Sequence, residues 1–232
     1  MCYVMFRAPV NRAHVLDAEL QQTYIPSGME CSATTTAVRG RPREFDPDQA
    51  LAAALRVFWK RGYEGASLSE LTEAMGITKP SLYACFGNKE ALFKKALDLY
   101  ERDKLAYVGT ALEAPSARGV VERLLRGALA THCGSSDPHG CLGVISTLSG
   151  SMEADSIRDH VIARRKSSEV ALVARLEKAK AEGDLPQGTD AVALAGCLST
   201  MLGGLSIKAQ SGTSRQDLEH AVDAFLGIWP SR

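Results

Sequence analysis

The sequence predicts an all-α protein with a helix-turn-helix head and a larger helical body, about nine helices in all. Three observations predict this class. Apolar residues recur at intervals of three and four along most of the chain, capping residues precede these stretches, and glycines follow them. No stretch has the strict alternation of a strand, and there is no internal repeat.

The charge balance, apolar runs and cysteine spacing exclude some classes of protein. Its 232 residues carry 27 basic and 27 acidic side chains, which argues against a protein that coats nucleic acid over its whole surface. One basic face remains compatible with this balance. We expect a cytoplasmic protein outside the membrane, because no apolar run reaches ~18 residues. Six scattered cysteines without a CxxC pair predict reduced thiols.

The first helix of the head is marked at both ends. Asp46 is suited to cap it, Pro47 fits its first turn, and Gly62 is expected to stop it. Leu55 and Phe58 then share its apolar face.

Two short helices follow. Ser67 has the spacing of a helix cap, Gly76 ends that helix, and Thr78 is suited to cap the next one, with Pro80 tolerated in its first turn. This helix is expected to end near Phe86, and a longer one is expected over residues 89 to about 107. Two short helices joined by a glycine-containing turn predict a helix-turn-helix, whose second helix enters the major groove of DNA.

The remaining residues predict a helical body. Apolar stripes and turn residues place its helices over about 116–133, 156–182, 190–209 and 215–229, with a short helical stretch after Cys141. Gly203 and Gly204 in an apolar helix predict a close helix approach.

The stretch GITKPSLYACFGNKEAL, residues 76 to 92, resembles the DNA-binding domain of TetR/AcrR-type transcriptional regulators. Residues 188–229 are similar to the last helices of the same family. The resemblance implies an all-α homodimer without enzyme activity or cofactor, in which a small effector releases a repressor from operator DNA. It also implies a DNA-binding domain over 39–107 and an effector-binding and dimerisation domain over 108–232. The weak periodicity of residues 1–38 predicts a disordered or mobile tail before them.

The helix from Thr78 to Phe86 needs an inward and an outward face. Leu82 and Phe86 are four residues apart and are expected to point inward, which leaves a lysine, a hydroxyl and a tyrosine for phosphates and base edges. Together with the resemblance, this gives the predicted DNA-binding residues: Arg41, Ser67, Leu68, Thr78, Lys79, Pro80, Ser81, Tyr83, Ala84, Cys85 and Lys89. Arg41 belongs to a basic arm that either reaches DNA or is solvated. For Cys85, a space-filling role is favoured over a redox switch.

The body is expected to hold the effector and the dimer contacts. Residues on its apolar stripes are candidates for the effector pocket, although such stripes are more often core: Leu125, Leu129, Cys141, Leu148, Met152, Val161, Leu172 and Met201. The last two helices, within residues 190–229, are expected to form a four-helix dimer interface.

One cluster leaves alternatives open. His132, Cys133, His139 and Cys141 lie within ten positions, which suggests a thiol- or metal-sensing regulator, although the spacing matches no standard zinc motif. A small thiol enzyme that uses Cys141 with His139 or His132 is a more distant alternative. A plain loop and helix start remains the simplest interpretation.

Overall fold

The computed structural model describes residues 45–148 and 154–230, and within them it contains ten helices and no strand. The predicted all-α class is confirmed. The predicted tail over 1–38 and the basic arm with Arg41 lie outside the described residues. The helices are α1 (Pro47–Gly65), α2 (Leu68–Met75), α3 (Lys79–Phe86), α4 (Lys89–Lys104), α5 (Tyr107–Leu112), α6 (Ala117–His132), α7 (Leu142–Ser146), α8 (Asp155–Ala181), α9 (Ala191–Gln210) and α10 (Arg215–Ile228).

Helix α1 begins after the capping residue Asp46 and bends at Gly62. The Asp46 carboxylate accepts hydrogen bonds from the amides of Asp48 (2.9 Å) and Gln49 (3.3 Å). At Gly62 the backbone turns to φ +72° and ψ 178°, a conformation nearly restricted to glycine. The helix was expected to stop here; instead one more turn continues in a new direction to Gly65.

Aromatic rings fix α1 against α4. Phe58 contacts Phe93 edge to face at 5.1 Å between ring centroids, and Trp59 meets Tyr100 in the same way at 4.7 Å. All four side chains are almost fully buried. Such pairs add to the hydrophobic effect of burial, so α1 and α4 form the rigid base on which α2 and α3 rest.

The predicted long helix after Lys89 is interrupted, which is a correction to the expected end near 107. It ends at Lys104, buried Leu105 caps it, and α5 starts at Tyr107. Tyr107 lies flat on α6 at Gly127, where a Cβ atom would come within 2.2 Å of the ring. No local sequence signal marks this break, because its cause is a contact with a helix 20 residues away.

The body packs α6, α8, α9 and α10 around apolar side chains that continue into the head as one cluster. Ion pairs between α4 in the head and α8 in the body also connect these two parts. Arg164 on α8 donates to Glu101 on α4 (2.5 Å) and to Asp98 one turn earlier. The Glu101 and Arg164 side chains are largely buried, so the pair is shielded from water.

Candidate DNA-binding surface and helical body

The α2–turn–α3 unit is built by local capping. The Ser67 hydroxyl accepts from the Glu70 amide (3.1 Å), and Gly76 adopts a left-handed φ of +66° that ends α2. Thr78 then caps α3: its hydroxyl accepts from the Ser81 amide (3.3 Å) and hydrogen-bonds the Ser81 hydroxyl (2.9 Å). These contacts fix the start of α3 to within one turn.

Helix α3 has two distinct faces. Leu82 and Phe86 are 1% and 5% exposed and pack into the core of the head. Between them, Tyr83 is 48% exposed, and Lys79 and Ala84 also face solvent. The buried pair therefore anchors the helix while its outer surface stays open to a partner.

The other predicted DNA-binding residues lie on or beside this surface. Ser67, Thr78 and Pro80 are exposed, whereas Leu68, Ser81, Cys85 and Lys89 are half-buried. Leu68 and Cys85 pack against the core, in agreement with a space-filling role for Cys85. Whether each residue touches DNA stays a prediction.

Lys89 is positioned by a residue that the sequence did not single out. Its ammonium lies 4.6 Å from the centre of the Tyr63 ring, a cation–π distance. Tyr63 in turn contacts Phe93 edge to face at 5.3 Å. Tyr63 and Lys89 are 26 positions apart, so no local pattern links them.

The α3 surface carries the chemistry of DNA recognition. An ammonium suits a phosphate, and the hydroxyls of Thr78, Ser81 and Tyr83 suit phosphates or base edges. Ala84 and Cys85 present little bulk, which leaves the outer face narrow. A lysine, a tyrosine and hydroxyls on one exposed helix are suited to lie in a groove.

The predicted effector residues fall into three groups. Leu125, Leu129, Cys141, Val161 and Leu172 are fully buried or nearly so, and Met201 is half-buried. Leu148 is 64% exposed after α7, so its side chain points away from the core of the described part. Met152 lies outside the described residues, and the pocket itself stays a prediction.

The histidines and cysteines of residues 132–141 do not converge. His132 and Cys141 are buried, whereas His139 is exposed. Burial raises the pKa of the Cys133 thiol, which opposes formation of the reactive thiolate. Among the residues that the structure describes, no three histidine, cysteine or acidic side chains are grouped to hold a metal ion. Thiol sensing and metal sensing stay alternatives to the plain-loop interpretation.

Helix α9 is unusual in composition. Of the helices in the described ranges, it alone is long and apolar enough to cross a membrane, and 33% of its most apolar window is buried. Core helices of soluble proteins also have this character. Its outer face exposes apolar side chains, with Val192 at 63% and Ile207 at 43%.

Comparisons with known proteins agree on one family. The family model described as bacterial regulatory proteins, tetR family, matches residues 50–96. The transcriptional repressor ComR of Escherichia coli K12 is 35% identical over 83% of this chain and 92% of its own length. The repressor BdcR of the same strain is 30% identical over 78% and 87%.

A solved structure gives the same result. A cysteine mutant of the TetR family transcriptional regulator CifR, in complex with 26-base-pair operator DNA, is 45% identical to this chain. The match covers 82% of this chain and all of that one, with a TM-score of 0.77.

Proposed function

Because this chain belongs to the TetR family of transcriptional regulators, we propose that it is a dimeric repressor that binds a palindromic operator and leaves it when a small molecule binds the body. The observation that carries the proposal is the division of α3 into a buried face and an exposed polar face. Leu82 and Phe86 anchor this helix in the core, and Lys79 and Tyr83 extend from its open face.

Each part of the α3 surface has a role in this proposal. Tyr83 and Ser81 contact base edges, and Lys79 binds a phosphate near the start of the helix. Lys89, held over Tyr63, binds a second phosphate beside the groove. The arm with Arg41 reaches the adjacent minor groove or the backbone.

The proposed dimer forms through α9 and α10. Ala193, Cys197, Thr200 and Gly204 recur on α9 at helical spacing, on the face opposite its buried residues. A Cβ atom added at Gly204 would meet nothing within 4 Å in a single subunit. Ile228 on α10 is 80% exposed. Two such helices from each subunit make a four-helix interface in which small residues permit close packing.

The names of the relatives support repression as the direction of regulation. ComR and BdcR are named transcriptional repressors, and CifR was solved on double-stranded operator DNA. Our proposal includes a cytoplasmic location on the chromosome, with residues 39–107 as the DNA-binding part and 108–232 as the effector-binding and dimerisation part.

The test is a selection of DNA by the full chain. The purified protein is mixed with double-stranded DNA that carries a random central region, and bound fragments are amplified and sequenced over several rounds. We expect an inverted repeat to be enriched, because a two-fold dimer reads two equal half-sites. A pool that stays random, from a protein shown to be folded, would refute sequence-specific binding.

A further inference from the structure

The nine residues between α6 and α7, Cys133–Cys141, contact two helices of the DNA-binding head and one helix of the proposed dimer interface. We call this segment the α6–α7 loop. It contacts α1 in the head, the end of α4, and α9 in the proposed dimer interface. No feature of the DNA-binding surface requires these contacts.

The contact with α1 is made through side chains of the head. Arg56 donates one hydrogen bond to the Asp137 carboxylate (2.9 Å) and another to the carbonyl of Ser136 (2.8 Å). Trp59 donates its indole N–H to the carbonyl of Gly140 (2.9 Å), and this bond is buried. Head and loop are thus joined at two points one turn apart on α1.

The contact with α4 uses the same carboxylate. Lys104 at the end of α4 lies 2.5 Å from the second oxygen of Asp137. Asp137 is only 19% exposed, so water screens this shared ion pair less than an open one. One side chain therefore connects α1 and α4.

The loop contacts α9 through its last two residues, Gly140 and Cys141. The amide of Cys141 donates to the hydroxyl of Ser206 (2.7 Å), and both groups are buried. Gly140 has φ +85°, and a Cβ atom there would come within 3.0 Å of the Ser206 carbonyl oxygen. The loop backbone is therefore pressed against the helix that is assigned to the dimer interface.

We propose that the α6–α7 loop, through Asp137 and the Gly140–Cys141 backbone, fixes the angle between head and dimer interface and so sets the spacing of operator half-sites that the dimer accepts. This rests on the proposed function, since it needs two heads on one DNA duplex. Within the loop, Asp137 is a positioning residue that touches no DNA.

The physical reason is geometric. One inserted base pair moves a half-site by about 3.4 Å and rotates it by about 34°. A dimer with rigidly held heads tolerates neither change. A dimer with loosened heads spends less time at the right separation, so it binds the natural spacing more weakly but discriminates less between spacings.

The experiment compares operator DNA of two spacings. The probe is the inverted repeat selected from random DNA by the wild-type protein, used as selected and with one base pair inserted at its centre. Full-length wild type, Asp137→Asn and Ser206→Ala are titrated against both probes. Asp137→Asn removes both ion pairs at nearly constant volume, and Ser206→Ala removes the acceptor of the Cys141 amide.

We expect wild type to lose at least about tenfold in affinity on the insertion, and Asp137→Asn to lose about threefold or less, because its heads sample several separations. Asp137→Glu should restore part of the discrimination. The matched control is Glu177→Gln, which breaks a 2.7 Å ion pair with Lys180 within α8 and should leave the wild-type discrimination.

Two results would overturn the inference. If Asp137→Asn and Ser206→Ala both keep the wild-type ratio between the two probes while folded and dimeric, the loop does not set the spacing. If the wild-type protein, shown to be folded, selects no inverted repeat from random DNA, the proposed function itself is wrong and the inference falls with it.

Discussion

Neighbouring residues on α3 have opposite tasks, and the difference follows from helical geometry. Leu82 is 1% exposed and Tyr83 is 48% exposed, because successive residues project about 100° apart around a helix. The spacing of Leu82 and Phe86 was sufficient to predict this division from the sequence. The same pattern gave no information about Tyr63 under Lys89, a contact that only the folded head creates.

Glu101 is the residue whose charge the fold alters most clearly. Burial raises the pKa of its carboxyl to about 7, although Arg164 beside it acts in the opposite direction. The folded protein therefore holds this proton more tightly than the unfolded chain, where the carboxyl titrates near 4.5. Between these values the folded state binds more protons, so the contribution of Glu101 to stability falls as pH rises.

Replacement of Glu101 by glutamine should remove that dependence. We expect the free energy of unfolding of wild type, minus that of Glu101→Gln, to fall between pH 4.5 and 7 by on the order of 3 kcal/mol and then to level off. The measurement is urea unfolding at several pH values and one protein concentration. Because both proteins contain His160, whose pKa is lowered by burial, its titration cancels in the difference. A difference that is constant with pH would contradict the assignment.

At the scale of the helix, ends with capping residues were predictable and ends set by packing were not. Asp46, Ser67 and Thr78 cap the helices that their spacing predicted, since each effect is local. The break between α4 and α5 was missed because its cause is the packing of Tyr107 against Gly127 on α6, 20 residues away.

Helix α3 offers a direct test of capping. Thr78→Ala removes the acceptor of the Ser81 amide and should lower the free energy of unfolding by about 1 kcal/mol. Thr78→Ser keeps the hydroxyl and should cost much less. The two variants are compared by urea unfolding; equal losses would show that the cap hydrogen bond at 3.3 Å contributes little.

At the scale of the whole molecule, the sequence indicated which helices meet a partner but not how head and body are joined. The apolar composition of α9 is visible in the sequence, and 33% burial in one subunit agrees with a surface that a partner covers. The junction at Asp137 joins residues 33 and 81 positions away, so it appears only in the folded chain.

The dimer prediction is tested at Gly204. A Cβ atom added there would have no neighbour from another part of its own subunit within 4 Å, and replacement of a helical glycine raises helix propensity by up to about 1 kcal/mol. Gly204→Glu should therefore leave the subunit folded but separate the dimer, because it buries a charge in the interface. Sedimentation velocity should report the mass of one chain.

The matched control for that variant is Val170→Glu. Val170 is 62% exposed on α8, opposite the buried face of that helix. This protein should remain a dimer. A Gly204→Glu protein that also stays dimeric would place the interface elsewhere.

The central claim is that the open face of α3 binds operator DNA, and a salt titration of binding tests it most directly. Fluorescence anisotropy measures binding to the selected repeat and to a scrambled duplex for four proteins: wild type, Lys79→Ala, Tyr83→Ala and Lys178→Ala. The last is the control, because it removes an exposed lysine on α8. The account predicts steep loss of affinity with salt for wild type, and a slope smaller by about 2 for Lys79→Ala, since each subunit loses about one phosphate contact. Tyr83→Ala should lose preference for the repeat, and Lys178→Ala should match wild type. Wild-type affinity and slope in both α3 variants would contradict the account.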